Sequence, residues 1–220
     1  MSFIKKTSIK KYKSTTPGSR DKVGIVFHYL DRSRTSSLLS PLKRKKFKNS
    51  QGNLVNYNRQ FGNKKLYRLI DFKRNFLNVS GLVIKFEYDP NRNSNLALIR
   101  YENDTIAFII DLEGLMLNDS VISKSNKLAS IPKIGDNISL KEIPLGTIIS
   151  NIEKIPGSGS IFLRSAGSYG LLFQKTETTA KVSFKSGIIK TFLLDCKAVI
   201  GKVSGFENKF RVLGKAGVNR

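Results

Sequence analysis

Apolar residues in this chain come in short runs, and from position 66 onward a turn signal interrupts them roughly every eight to twelve residues. That spacing leaves no room for long helices and favours small antiparallel barrels or sandwiches. Runs at 66–72, 82–88, 96–101 and 105–112 form a first group, with Asn103 and Asp104 supplying a tight turn between the last two. A second group follows at 138–140, 147–155, 161–164, 170–174, 180–184, 188–194 and 199–203. Between them a Ser/Asn/Lys-rich passage at 123–130 gives way to Pro132, Gly135, Asp136 and Asn137, and the domain boundary is placed there. The expectation is an all-β chain with one barrel at 65–130, a second at 131–204 and a short segment at 205–220, with no internal repeat.

Charge divides the chain differently. The formal net charge is +23; residues 1–75 hold 20 Lys plus Arg against 3 acids, or +17, whereas 76–220 hold 19 against 13, or +6. With few apolar groups, so charged a segment cannot offset its self-repulsion and chain entropy, and residues 1–64 are expected to be an extended basic arm that orders only on a polyanion. Nucleic acid is the expected partner, with Lys43, Arg44, Lys45 and Lys46 as the densest cluster. Affinity should then fall with salt at a log–log slope of about −0.7 to −0.9 per phosphate neutralised. A membrane is the competing polyanion, but positions 43–48 have no amphipathic helix or lipidation signal beside them.

Catalytic chemistry finds little material. The one cysteine, Cys196, excludes an intramolecular disulfide and ends an apolar run, as a buried small residue would. The one histidine, His28, lies in the basic arm, too isolated for a zinc site. No Ser/His/Asp spacing is present, and Asp89 is placed to cap its own turn rather than to face Glu87 as a carboxylate pair. No cofactor is implied. The run at 106–110 is cut short by Asp111 and Glu113, well under the roughly 18 apolar residues a membrane span requires, so the chain reads as soluble. Its first twenty residues are basic, rich in Ser and Thr and free of acids, a composition shared with organellar transit peptides.

The most informative stretch is Phe86 to Tyr101. Leu82, Ile84, Phe86 and Tyr88 alternate with Val83, Lys85 and Glu87, the period of two expected for a strand with one buried face. Pro90 stops that strand because it lacks an N–H, and Asn91, Asn93, Ser94 and Asn95 then gather short polar side chains around Arg92. Two readings stay open on the residues alone: a solvated hairpin connection, or a loop that contacts phosphate and sugar. Upstream, Arg68, Lys73 and Arg74 flank Leu69, Ile70 and Phe72; with the apolar residues inward, the cations fall on an outer edge suited to phosphate. Downstream, Pro156-Gly157-Ser158-Gly159-Ser160 is either a plain hairpin turn or a loop whose backbone N–H groups approach phosphate. It is not a Walker loop, since no Gly-Lys-Ser/Thr follows.

Glu87-Tyr88-Asp89-Pro90-Asn91-Arg92-Asn93-Ser94-Asn95 resembles the E-Y-D-P-N-R-S-A-N signature of the universal large-subunit ribosomal protein two family. The resemblance continues in family order through Tyr67-Arg68-Leu69-Ile70-Asp71-Phe72-Lys73-Arg74-Asn75, Ile143-Pro144-Leu145-Gly146-Thr147, Asn151-Ile152-Glu153, Arg164-Ser165-Ala166-Gly167, Cys196-Lys197-Ala198-Val199-Ile200-Gly201 and Leu213-Gly214-Lys215-Ala216-Gly217. It implies an oligonucleotide-binding barrel followed by a Src-homology-three-like barrel, and a structural role on large-subunit ribosomal RNA, beside neighbouring ribosomal proteins, around the peptidyl-transferase centre. Arg20, Arg59, Lys64, Asn91, Arg92, Asn93, Gly157, Gly159, Arg164, Ser165, Gly167, Lys215 and Arg220 then join the RNA-contacting set. Ser160 departs from the family's glycine, and the stretch Arg59-Gln60-Phe61-Gly62-Asn63-Lys64-Lys65 has lost most of the R-H-x-G-G-G-H-K motif. The family runs on into a glycine-rich basic extension, so its end at Arg220 implies a separately encoded C-terminal half or its loss. Lys13-Ser14-Thr15-Thr16-Pro17-Gly18-Ser19-Arg20 resembles the family's own start, which argues for a mature terminus. Heavy use of Lys, Asn, Ile and Phe without Trp suggests an AT-rich gene, and with it a mitochondrial member acting in the mitochondrial ribosome. The alternative is a free organellar translation or RNA-maintenance factor that stacks bases on exposed aromatics such as Phe72, Phe86 or Tyr101; their alternating spacing places them in cores instead.

Overall fold

A computed structural model describes residue 5 and residues 7–42, 49–55, 64–124 and 132–219. β1 (Thr7–Lys11) and β2 (Val23–Phe27) form an antiparallel hairpin, and a 3-10 turn (Ser36–Leu38) leads into β3 (Leu39–Pro41), which pairs with β4 (Leu66–Arg68). β5 (Ser80–Glu87), β6 (Leu96–Tyr101), β7 (Ile106–Ile110) and β8 (Ser120–Ile122) make an antiparallel sheet in the order β7-β6-β5-β8. Then come β9 (Asn137–Ser139), β10 (Ile148–Ser150), β11 (Ile152–Glu153), β12 (Ser160–Phe162), β13 (Gly170–Lys175), β14 (Thr179–Phe184), β15 (Ile189–Leu193) and β16 (Lys197–Ile200). β11 pairs with β12, and the other six form a sheet ordered β15-β14-β13-β10-β16-β9. A 3-10 turn (Phe206–Phe210) and a single helical turn, α1 (Ala216–Asn219), end the described chain. The protein is all-β with curled antiparallel sheets, as expected.

Each sheet closes over its own core. Val83, Phe86, Leu96, Ile99, Tyr101, Phe108, Leu112 and Val121 fill the first; Ile138, Leu140, Ile149, Ile152, Leu172, Val182 and Ala198 fill the second. Val199 and Val203 reach back from the second unit into the first core. Backbone hydrogen bonds seal that seam: the Ser204 N–H donates to the Asp111 carbonyl at 3.0 Å and the Glu113 N–H to the Lys202 carbonyl at 2.8 Å. Residues far apart in sequence are thereby held at fixed separations, which any site built across the seam requires.

The structure corrects two expectations. Strand β5 does not bury one alternating set, because a bulge between Val83 and Lys85 inserts a residue and flips the phase. Val83 and Phe86 are buried while Leu82, Ile84 and Tyr88 are exposed. The run at 147–155 is two strands, broken at Asn151, whose φ of 50° turns the chain out of extended geometry.

Along its described residues the basic arm is folded onto the first barrel. Its charge count hid the alternation Val23, Ile25, Phe27, Tyr29, whose Tyr29 ring packs edge-on against Phe86 with centroids 5.5 Å apart. The Asp31 N–H donates to the Phe86 carbonyl at 2.8 Å, and Val23 bridges to Val212. Lys5 enters the same region, its ammonium 3.9 Å from the centre of the Phe86 ring and bonded to the buried Asp111 carboxylate, which also accepts the Tyr29 hydroxyl at 3.1 Å. Burial pushes the Lys5 ammonium down and the Asp111 carboxyl up, each opposed by the attraction between them.

Candidate nucleic-acid interface

Asp89, with no exposed surface, organises the loop after β5. Its carboxylate accepts the Asn91 N–H at 2.8 Å, the Asn91 side-chain amide at 3.1 Å and the Arg92 Nε–H at 2.6 Å. A short acidic side chain reaching two residues ahead is what an Asx turn needs, and here it also fixes a guanidinium. The same Asn91 amide donates to the Leu66 carbonyl at 2.8 Å, pinning the loop to β4. At the other end of the loop Asn95 donates to the Tyr29 hydroxyl at 2.9 Å. Arg92 is thus held by its Nε edge, with its side chain about 21% exposed.

Arg164 arrives from the second unit. Leu163, at φ 56°, and Asn151, at φ 50°, both adopt the left-handed region, and the Asn151 N–H donates to the Leu163 carbonyl at 3.2 Å. Their reversal ends β12 and throws Arg164 outward. Its guanidinium carbon lies 4.8 Å from the centre of the Phe72 ring; that of Arg92 lies 6.0 Å from Phe72 and 6.0 Å from Tyr67. Phe72 itself is held at the barrel rim because the Asp71 N–H donates to the Phe108 carbonyl at 2.9 Å. Beyond Arg164, the turn at 165–168 is closed by the Ser168 N–H and hydroxyl donating to the Ser165 carbonyl. Gly167 (φ 67°) packs so near Phe206 that a Cβ would meet its atoms at 3.0–3.2 Å.

These elements enclose a cleft of about 710 Å³. Arg92, Arg164, Lys185 and Lys209 line it together with the half-buried rings of Tyr67, Phe72 and Phe206, and among the described residues no carboxylate does. The Asn208 amide donates to the Asn93 carbonyl at 2.9 Å and ties the two walls. A second recess of about 330 Å³ shares Arg92, Asn93 and Asn208 and adds Lys22 and Arg211, again with no acid among the described residues. A concave surface of one sign, with low-dielectric walls, focuses field lines and concentrates polyanions.

Residues 35–123 match the family model described as Ribosomal Proteins L2, RNA binding N-terminal domain, and residues 133–220 match the one described as Ribosomal Proteins L2, C-terminal domain. The chain belongs to the ribosomal protein L2 family. Among its relatives, the large ribosomal subunit protein uL2 of Buchnera aphidicola subsp. Cinara cedri is 39% identical over 213 residues, 96% of this chain and 77% of the relative. The protein of the same name from Christiangramia forsetii is 38% identical over 214 residues, 97% of this chain and 76% of the relative. The cleft of this L2-family chain is composite: Arg92 falls within the N-terminal match and Arg164, Lys185 and Lys209 within the C-terminal one.

Of the residues expected from sequence, the L2 fold gathers Arg92, Asn93, Arg164 and Ser165 at the cleft, with Asn91 behind them as a brace. Arg68 and Arg74 are corrected: they are only 5% and 4% exposed and face inward, not along an outer edge. Strand β4 stops at Arg68, and Asp71 then caps a turn by accepting the N–H groups of Lys73 and Arg74, so the period of two does not carry through to position 74. Leu69 ends up 49% exposed, and of the three cations only Lys73 is exposed. Arg74 instead donates to the Gly135 carbonyl at 2.7 Å, as a strut to the segment entering the second barrel; burial pushes its guanidinium pKa down against the fields of Tyr101, Asp71 and Asp136.

The glycine loop is corrected too. Its Gly157 and Gly159 N–H groups do not point outward; both donate to the buried Glu153 carboxylate, at 3.2 and 3.1 Å, which also accepts the Lys197 N–H at 3.0 Å. Ser160 replaces a glycine without strain because its φ is not positive. Gly167 serves packing against Phe206. Arg20, Lys64 and Lys215 are exposed apart from the cleft, and Lys43, Arg44, Lys45, Lys46, Arg59 and Arg220 lie outside the described residues. Sequence reasoning missed Lys185, Lys209, Phe206 and Asn208, whose only signal is a pair of aromatics, Phe206 and Phe210, spaced around polar residues. Cys196 is buried as expected, and burial raises its thiol pKa.

Proposed function

We propose that this chain is a structural constituent of the large ribosomal subunit that holds ribosomal RNA in the Arg92–Arg164 cleft. One observation carries the reading: two arginines 72 positions apart in sequence converge on a single ring, Phe72, in a recess that no carboxylate among the described residues lines. Charge-assisted, forked hydrogen bonds from guanidinium to phosphate are strong and orienting. Arg92, pre-oriented by Asp89, loses little freedom on making them. The printed descriptions of the matched family and relatives, RNA binding and large ribosomal subunit, point the same way. The role is architectural: rigid barrels brace RNA segments around the peptidyl-transferase region, with no bond made or broken by the protein. The AT-rich style of the sequence supports a mitochondrial ribosome as its setting, while the relatives cited above are bacterial.

Sedimentation tests this directly. The tagged chain should remain with large subunits through a high-salt wash in organelle lysates, and Arg92→Ala/Arg164→Ala should release it or fail to enter particles. A chain that washes off intact subunits, or never sediments with them, is a free factor and the proposal is wrong.

A further inference from the structure

We infer that the cleft receives one unstacked RNA base, laid against the platform formed by Phe72 and Arg164, in addition to the phosphates its cations neutralise; this rests on the ribosomal-RNA reading above. A duplex backbone is convex and continuous, and a protein meets it with an open row of cations. Here the cations rim a recess of about 710 Å³, a size typical of sites that enclose a small-molecule-sized group. Its floor is aromatic. Phosphates have no use for rings, whereas every base has a π-face that stacks on them.

The rings are already fixed. Tyr67, Phe72 and Phe206 are each half-buried, so packing on one side immobilises them while the other side borders the cleft. Arg164 enlarges the surface: its planar, weakly hydrated guanidinium lies 4.8 Å from the Phe72 centre, and such planes themselves accept stacked bases. Asn93, whose backbone carbonyl is held by Asn208, carries an exposed amide at the same cleft, able both to donate to and accept from a base edge. The contrast with the other large basic recess is informative. That one, about 770 Å³ and lined by Arg32, Arg34, Lys64 and Arg68, also contains Asp31 and Glu87, and Glu87 already pairs with Lys85 at 2.8 Å. Two carboxylates thus share its lining with the cations, whereas Asp89, the partner of Arg92, is buried outside the lining of the cleft; the Tyr88 ring there is exposed rather than half-buried.

The test uses intact large subunits containing the chain, irradiated with short-wavelength ultraviolet light, which joins a base to an amino acid only at direct van der Waals contact. After nuclease and protease digestion, peptides are read by mass spectrometry. The expected result is a nucleotide adduct on residues 66–73 or 162–168, lost in Phe72→Leu particles and reduced about tenfold in Arg164→Lys, which keeps the charge but not the plane. Nucleotide adducts found only elsewhere on the chain overturn the base site and leave RNA binding standing. If no peptide carries a nucleotide and the chain sediments apart from the subunit, the RNA reading itself fails, and the base site with it. Should Phe72→Leu not assemble, the wild-type map and Arg164→Lys decide alone.

Discussion

Replacing Asp89 isolates the link between fold and site. Its carboxylate has no exposed surface and accepts three donors, one of them the Arg92 guanidinium at 2.6 Å. Removing one partner of a fully buried ion pair costs about 3–5 kcal/mol. Arg92 is about a fifth exposed, so water recovers part of its hydration, and the expected loss for Asp89→Ala is about 2–3 kcal/mol. At about 2–4 °C per kcal/mol for a chain of this size, Tm should drop by about 5–10 °C. Asp89→Asn keeps one acceptor for the Asn91 N–H but loses the charge, and should sit midway. Thermal unfolding of the purified chain gives the stability, and titration with a large-subunit ribosomal RNA fragment gives the affinity. In a double-mutant cycle with Arg92→Gln, the coupling in each measurement should reach about 1–3 kcal/mol. Additive effects within about 0.5 kcal/mol, or an Asp89→Asn variant that loses stability while binding RNA as before, would refute the idea that Asp89 aims Arg92.

Other consequences follow from the same geometry. Glu153→Ala strands the buried Gly159 N–H and the partly exposed N–H groups of Gly157 and Lys197, and should lower stability by about 2 kcal/mol, whereas Glu153→Gln, retaining an acceptor oxygen, should lose roughly half as much; equal effects in thermal melts would show that the carboxylate does not organise that loop. Gly214→Ala would place a Cβ 2.3 Å from the Gly18 carbonyl and should destabilise far more than Gly187→Ala, where φ is also positive but the space is open and about 1–2 kcal/mol of backbone strain is the whole penalty. Similar melts for the two would contradict that. For Asp111, burial raises the carboxyl above its ordinary 3.8, so the folded state binds this proton more tightly than the unfolded chain. Its contribution to stability is therefore greatest at low pH and declines as pH rises from 3.8 through the raised value. The Tm difference between wild type and Asp111→Asn should shift against the wild type across that window; a pH-independent difference would contradict it.

The strands were legible because their periodicity is strong. Expectation and structure coincide at β6, and to within a residue or two at most others. What escaped was whatever a periodic reading cannot carry: the bulge in β5, the break at Asn151, and the short β8, whose three residues make no pattern alone. The docking of the first residues was not legible for a different reason. Lysines and arginines dominated the count, and the sparse apolar residues among them suffice to dock the hairpin once Tyr29 reaches Phe86. At the site, Arg92 and Arg164 were visible through their motifs, but burial of Arg68 and Arg74 depends on where β4 stops, and the contribution of Lys185 and Lys209 depends on the seam between two cores. Neither is a local property of sequence.

In the proposed role the cations of the cleft neutralise ribosomal RNA phosphates. Affinity of the purified chain for a large-subunit ribosomal RNA fragment, measured over a series of salt concentrations, tests it most directly. With Arg92→Ala/Arg164→Ala the log–log salt slope should become shallower by about 1.4–1.8, the share of two phosphate contacts, and affinity at moderate salt should fall at least about tenfold. An unchanged slope and affinity would mean that RNA lies elsewhere on the molecule.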